Sequence, residues 1–291
     1  MAELFTGVPL FYMLTGYLNA NKKVCWKYYK GMFRILFSYL FFSIITILFR
    51  NYYLGESLGT FQWIMKIFDY TAIPYAWFIE MWIGLALLTP FLNYLYRAIE
   101  TKKEKLIGIL TLSFLTALPY LLNRYGMHLA PGYWYDAAFP LLFFFLGAYI
   151  REYQPKINKN KLLCVMLLCV SITPLFNILF FKGHDVIDIT GGSRGFFSTC
   201  VTVSIFMLLY KVDISNIQIN RWVSHCSKVS YEMYLCCYMF DMLYYPWFKD
   251  RFFETQTQFF PWFFVIVPLI FMSSYIVASV YRVIAGRLRM V

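Results

Sequence analysis

The sequence predicts an all-α integral membrane protein, a bundle of about nine transmembrane helices. Hydrophobic residues make up 60% of the 291 residues and charged residues only 14%, and the mean hydropathy is +0.58. A soluble domain carries about 25% charged residues, so this chain has too few to cover a water-facing surface. The apolar residues also fall into blocks of the length that a spanning helix needs, about 20 residues.

Nine apolar blocks follow one another along the chain without an internal repeat or a low-complexity linker. They cover residues 4–20, 34–49, 74–96, 106–123, 135–150, 162–181, 195–210, 230–248 and 261–281. Several contain a proline (Pro9, Pro90, Pro119, Pro140, Pro174 and Pro268), which membrane helices tolerate. We therefore expect residues 1–291 to form a single integral membrane domain.

The basic residues predict how the chain is oriented. When the loops are assigned alternately to the two sides, 19 of the 26 Lys and Arg residues fall on one side. The positive-inside rule places that side in the cytoplasm. The predicted protein is therefore multi-pass in the plasma or inner membrane, with a cytoplasmic C-terminus. The net charge of +11 is then a topology signal, and we expect no nucleic-acid partner.

The first block begins only three residues from Met1, and Glu3 is the only charge before it. An odd number of spans with a cytoplasmic C-terminus places Met1 outside, although no basic segment or signal peptide precedes the block. We therefore expect a further helix upstream, so that the domain is N-terminally incomplete.

The cysteines and histidines give no sign of a metal site. Five of the seven cysteines lie in predicted spans, and the sequence has no CxxC motif or Cys/His cluster with ligand spacing. We predict no metal and no bound cofactor.

A basic segment leads into the second block. Lys23, Lys27, Lys30 and Arg34 are spaced by four, three and four residues, which places them on one face of a helix. Such a stripe can clamp phosphate groups, or it can anchor the helix to anionic lipid head groups.

Three acidic residues, Glu80, Glu232 and Asp241, lie within or at the edge of predicted spans. A charge there costs about 3 kcal/mol, so each marks a candidate functional site. Glu80 is one helical turn from Trp77 and could orient a histidine or bind an acceptor hydroxyl. It could equally pair with a hydroxyl of a neighbouring helix, and Asp241 could cap local structure.

An aromatic and polar segment, residues 123–136, falls on the predicted outer side and includes Trp134 and Asp136. Aromatic faces and polar tips suit sugar rings. Trp and Tyr are also expected at any membrane interface, so this segment alone does not predict a glycan site.

Four segments together resemble the acyltransferase 3 family, membrane-bound O-acyltransferases that modify surface polysaccharides and related glycans. In chain order they are GVPLFYMLTGYL (7–18), AWFIEMWIGLALLTPFLN (76–93), PGYWYDAAFPLLFFFLGAYIREYQPKINKNK (131–161) and SKVSYEMYLCCYMFDMLYYP (227–246). The first resembles the second of the family's ten helices. Because the four occur in the family's order, the resemblance covers nearly the whole chain.

The resemblance implies an acyltransferase that moves groups other than amino-acyl groups. Its donor would be cytoplasmic acyl-CoA, with acetyl-CoA the first expectation, and its acceptor a hydroxyl of a capsule, exopolysaccharide or lipid-linked saccharide. Lys27, Lys30 and Arg34 would bind the donor phosphates, and Glu80 would be the catalytic carboxylate. The residues expected to contact the acceptor are Trp77, Trp134, Asp136 and Asp241.

The chain departs from the family's pattern at the catalytic histidine, which the family carries on its opening helix. His128, His184 and His225 do not match that position. We therefore expect the chain by itself to bind substrates but to transfer little. The alternative function is a polytopic transporter or polymerase of glycans or lipid-linked sugars, which coenzyme A binding or glycan acetylation would exclude.

Overall fold

The structure, a computed structural model, describes residues 6–123, 129–131, 135–180 and 192–287. All regular secondary structure in these ranges is helical. The helices are α1 (Gly7–Asn19), α2 (Trp26–Tyr52), α3 (Thr60–Phe68), α4 (Trp77–Ala98), α5 (Lys102–Thr116), α6 (Pro119–Leu122), α7 (Tyr135–Tyr153), α8 (Lys159–Phe180), α9 (Phe196–Leu209), α10 (Ile217–Phe252) and α11 (Gln256–Arg287), with a 3₁₀ turn at Gly192–Arg194.

Three of the described helices are long and apolar enough to cross a bilayer: α2, α4 and residues Gln258–Arg287 of α11. The all-helical fold class is therefore confirmed for the described ranges. Each of the nine apolar blocks overlaps one of the helices, while the number of spans stays a prediction.

Several helices extend beyond their apolar blocks, as α10 does at both ends, and the structure departs further from the block pattern in two places. The block at 106–123 is divided, because α5 ends at Thr116 and α6 begins at Pro119, whose ring nitrogen has no N–H to continue the helical ladder. Helix α3 corresponds to none of the nine apolar blocks. It has nine residues, about half of what a spanning helix needs.

The contacts divide the chain into two compact units. Unit 1 contains Met1–Val24 and Met81–Asp213, and unit 2 contains Cys25–Glu80 and Ile214–Val291. Helix α4 begins in unit 2 and continues in unit 1 from Met81. Each unit is built from segments that are far apart in sequence.

Unit 1 centres on the packing of α1 against α7. A Cβ atom on Gly16 would overlap the backbone of Phe144, and one on Gly147 would overlap the backbone of Met13. The two helix backbones are therefore in direct contact, which only glycine permits and which is a common way to join membrane helices. The ring of Tyr12 packs edge-on against Phe139 beside this contact, with centroids 5.5 Å apart.

The C-terminal end of α1 is held by side chains from two other helices of unit 1. Arg151 of α7 donates to the carbonyl oxygen of Tyr17 at 2.8 Å. Asn93 of α4 donates to the carbonyl oxygens of Asn19 and Lys22, at 2.7 and 2.8 Å. The last carbonyls of a helix have no partner within it, and a cation there also favours the helix dipole. These contacts therefore fix the end of α1.

In unit 2, the segment after α2 turns back along that helix. Arg50, near the end of α2, forms an ion pair with Glu56 at 2.8 Å. Its Nη1 also donates to the carbonyl oxygens of Thr71 and Ala72, each at 3.0 Å. Arg50 thereby provides hydrogen bonds to two backbone carbonyl groups of an irregular segment.

Helix α3 packs against α2 within this returning segment. The hydroxyl of Tyr39, midway along α2, donates to the carbonyl oxygen of Ile67 at 2.7 Å, so the segment reaches the middle of the spanning helix. Irregular backbone at that depth is tolerated where protein covers it. The returning segment therefore brings Asp69, Tyr70 and the start of α4 toward the centre of unit 2.

Candidate active site

The predicted basic stripe lies on the first turns of α2. The helix begins at Trp26 with Cys25 as its N-cap, so Lys23 precedes the helix and is not part of the stripe. Lys27 and Lys30 are exposed, whereas Arg34 is half-buried. The stripe therefore leads from the surface of unit 2 toward its interior.

A buried polar network lies one helical turn beyond Arg34. Ser38 is fully buried and Glu232 is 4% exposed. The Ser38 hydroxyl donates to Oε1 of Glu232 at 3.4 Å and shares a 3.1 Å hydrogen bond with the hydroxyl of Tyr281. Helices α2, α10 and α11 each supply one member of this network.

Oε2 of Glu232 is buried without a hydrogen-bond partner among the described residues. A buried carboxyl oxygen in an apolar environment is costly unless something interacts with it. Arg34 lies one helical turn before Ser38 on α2, which connects the network to the basic stripe.

Glu80 lies in the first turn of α4 and is exposed on the surface of unit 2. Trp77, one turn before Glu80, is 40% exposed. Phe78 and Ile79 between them are buried, so α4 turns Trp77 and Glu80 outward and packs through the residues between.

Asp241 of α10 is hydrogen-bonded to the segment just before α4. The hydroxyl of Tyr75 donates to Oδ2 of Asp241 at 2.6 Å, and the hydroxyl of Tyr234 donates to the carbonyl oxygen of Tyr75. The structure thus brings Asp241 close in space to the segment that leads into Trp77. Asp241 is roughly 14 Å beyond Glu232 along α10, at 1.5 Å per residue.

Two predicted acceptor residues cannot be placed in the same way. Trp134 lies outside the described residues. Asp136 lies in the first turn of α7, and its side chain lies outside the described part of the structure. Both belong to the part of the chain assigned to unit 1.

A line of polar groups therefore runs through unit 2. It begins with Lys27 and Lys30 on α2 and passes Arg34 and the Ser38–Glu232–Tyr281 network. It then follows α10 to Asp241, which bonds the segment that leads into Trp77 and Glu80. Sequence reasoning marked Glu232 only as an acid within a span. It missed Ser38 and Tyr281, because neutral hydroxyl groups are common in membrane helices.

No metal centre is evident in the described part of the chain, where no three His, Cys, Asp or Glu residues come together. The residues along the polar line are instead suited to binding. Cations at one end can bind an anionic group, and carboxyl and hydroxyl groups further along can hydrogen-bond a polar acceptor.

Helices long and apolar enough to cross a bilayer, with a buried carboxyl group among them, define a membrane protein that carries polar groups at the depth of its helices. The chain belongs to the acyltransferase 3 family, because the family model described as an acyltransferase domain matches residues 4–279. The resemblance found in the sequence is thereby confirmed, and the protein is a membrane acyltransferase. No curated protein and no solved structure matches the chain.

Proposed function

We propose that the protein transfers an acetyl group from cytoplasmic acetyl-CoA to a hydroxyl group of a cell-surface glycan, such as a capsule, exopolysaccharide or lipid-linked saccharide. The family match over residues 4–279 carries this proposal. The polar line through unit 2 supports it, because it offers cations at one end and hydrogen-bonding groups at the other.

The donor would bind at the basic end. Lys27 and Lys30 are exposed and Arg34 is half-buried behind them, so the stripe can bind the phosphate groups of coenzyme A and direct the acyl arm inward. Arg and Lys form strong charge-assisted hydrogen bonds with phosphate oxygens. The donor is a substrate, and no cofactor enters the proposal.

The acceptor would bind at the other end of the line. The partly exposed ring of Trp77 can stack against a sugar, and Glu80 and Asp241 can hydrogen-bond its hydroxyl groups. Trp134 and Asp136, in the part of the chain assigned to unit 1, remain candidate contacts of the acceptor on the grounds of sequence alone. A carboxylate at Glu80 can accept the proton of the attacking hydroxyl.

In the proposed reaction the sugar oxygen attacks the thioester carbonyl carbon. A new C–O ester bond forms and the C–S bond breaks. The sulfur leaves with the electron pair and takes up the proton that the hydroxyl has lost, so the products are the acetylated glycan and free coenzyme A. Holding donor and acceptor together supplies much of the rate gain.

Deleting the gene in its source organism tests the proposal. The surface glycan should lose base-labile acetyl esters, measured by NMR spectroscopy, and the gene in its natural context should restore them. A deletion that leaves the acetyl content unchanged but lowers the amount or chain length of exported glycan would contradict the proposal and favour a transporter or polymerase.

A further inference from the structure

Two arginines, Arg34 on α2 and Arg282 on α11, lie next to members of the buried network of unit 2, and Lys228 on α10 adjoins one of them. Arg34 is one turn before Ser38 on α2, and Arg282 directly follows Tyr281 on α11. The Ser38–Tyr281 hydrogen bond, 3.1 Å long, therefore brings the two arginines to the same level. Arg282 also donates through Nη1 to the backbone carbonyl oxygen of Lys228 on α10.

These cations are not balanced by nearby acids. Arg34 and Arg282 are both half-buried, and they flank the same Ser38–Tyr281 hydrogen bond. Neither forms an ion pair with any described residue. Glu232 is the one carboxyl group of the network beneath them, so the cluster of Arg34, Lys228 and Arg282 retains an excess of positive charge.

Partly buried like charges are unfavourable unless a counter-charge compensates them. Arg34 and Arg282 are each partly withdrawn from solvent, so water alone does not fully compensate their charges. The excess positive charge of the cluster therefore favours the binding of an anion.

A cavity that is open to solvent adjoins the cluster at Lys228 and provides space for a ligand. It has a volume of about 360 Å³, within the usual size range of small-molecule sites. Lys228 lines it together with Arg221 and His225, and Asn220, Ser215 and Ser224 supply neutral hydrogen-bonding groups. The ring of His225 is held by a 2.9 Å hydrogen bond between Nδ1 and the hydroxyl of Tyr275.

We infer that Arg282 and Lys228 complete, with Arg34, a site for the phosphate groups of the acyl donor, and that the adjoining cavity holds the rest of its nucleotide. The inference rests on the proposed function, since it takes acyl-CoA as the donor. It extends the predicted stripe on α2 to two further helices. Because α2, α10 and α11 then all contact one ligand, donor binding also holds them together.

Coenzyme A binding to the purified full chain in neutral detergent tests the inference. Arg282→Ala should raise the dissociation constant about ten-fold or more, since a hydrogen bond to a charged group is lost, and Lys228→Ala should raise it in the same direction. Binding to the unmodified chain should weaken with rising ionic strength. Pantetheine, which lacks the phosphates, should show no dependence on either residue.

Arg287→Ala is the matched control, because it removes an exposed cation from the same end of α11 outside the cluster. It should leave coenzyme A binding unchanged. The thermal unfolding midpoint of each variant shows whether it is folded. If Arg282→Ala does not fold, coenzyme A binding by Lys228→Ala still tests the inference, because Lys228 is at an exposed position.

The possible failures can be told apart. If the unmodified chain binds no coenzyme A, the proposed donor is wrong. If it binds coenzyme A, and Arg34→Ala weakens binding while Arg282→Ala and Lys228→Ala do not, the extended site alone is refuted. If the last two variants lower binding of phosphatidylglycerol but not of coenzyme A, the cluster binds a lipid head group and the inference is overturned.

Discussion

Replacing Gly16 or Gly147 by alanine should destabilise the protein by about 2 kcal/mol or more, the range found for overpacking a tight interface. The added methyl group at Gly16 would collide with the backbone of Phe144, and at Gly147 with the backbone of Met13. A backbone cannot rotate away as a side chain can, so α1 and α7 must separate. The unfolding midpoint in detergent and the yield of monodisperse protein measure the effect.

Gly84→Ala is the matched control for this prediction. Gly84 also lies within a helix, α4, but a Cβ atom there would meet no atom within 4 Å. Because alanine favours a helix over glycine by about 1 kcal/mol, this variant should be as stable as the unmodified protein or slightly more so. Equal losses at Gly16, Gly147 and Gly84 would contradict the close contact between α1 and α7.

Arg34→Ala should weaken coenzyme A binding about ten-fold or more while leaving glycan binding nearly unchanged. Arg34 is the half-buried member of the stripe and lies one turn from the Ser38–Glu232–Tyr281 network, so its guanidinium group can contact phosphate away from bulk water. Lys30→Ala should act in the same direction with a smaller effect, because Lys30 is exposed. Titration calorimetry with coenzyme A and with the glycan separates the two affinities.

Lys23→Ala provides the control, since it removes the same charge just before α2 begins. It should leave coenzyme A binding unchanged. If Arg34→Ala and Lys30→Ala bind coenzyme A as well as Lys23→Ala does, the stripe is a lipid anchor and does not bind the donor.

Composition and block length were enough to predict the helical membrane fold. The three clearest spans are those whose apolar runs are long and carry few charges, in α2, α4 and α11. Helix α3 was missed because it is short, although Phe61, Ile64, Met65 and Phe68 give it an exposed apolar side. Its packing along α2 depends on the contacts of Arg50 and Tyr39, which no local pattern reveals.

The candidate site was predictable where it is charged. Glu80 and Asp241 follow from the cost of placing a charge in a membrane, and Lys27, Lys30 and Arg34 follow from their spacing on one helix face.

The rest of the site depends on how the helices are aligned. Ser38 and Tyr281 are 243 residues apart in the chain, and their pairing with Glu232 requires the relative register of α2, α10 and α11. Because neutral hydroxyl residues are common in apolar helices, their positions in the sequence do not predict which residues of two helices lie side by side.

The most direct test of the account is the side of the membrane on which the donor must be supplied. Sealed membrane vesicles from the source organism, prepared inside-out and right-side-out, would receive acetyl-CoA labelled in the acetyl group. We expect label in the glycan only for inside-out vesicles, where Lys27, Lys30 and Arg34 face the added donor. Equal labelling from both sides, labelling from the outer side alone, or labelling that survives deletion of the gene would contradict a cytoplasmic donor site in this protein.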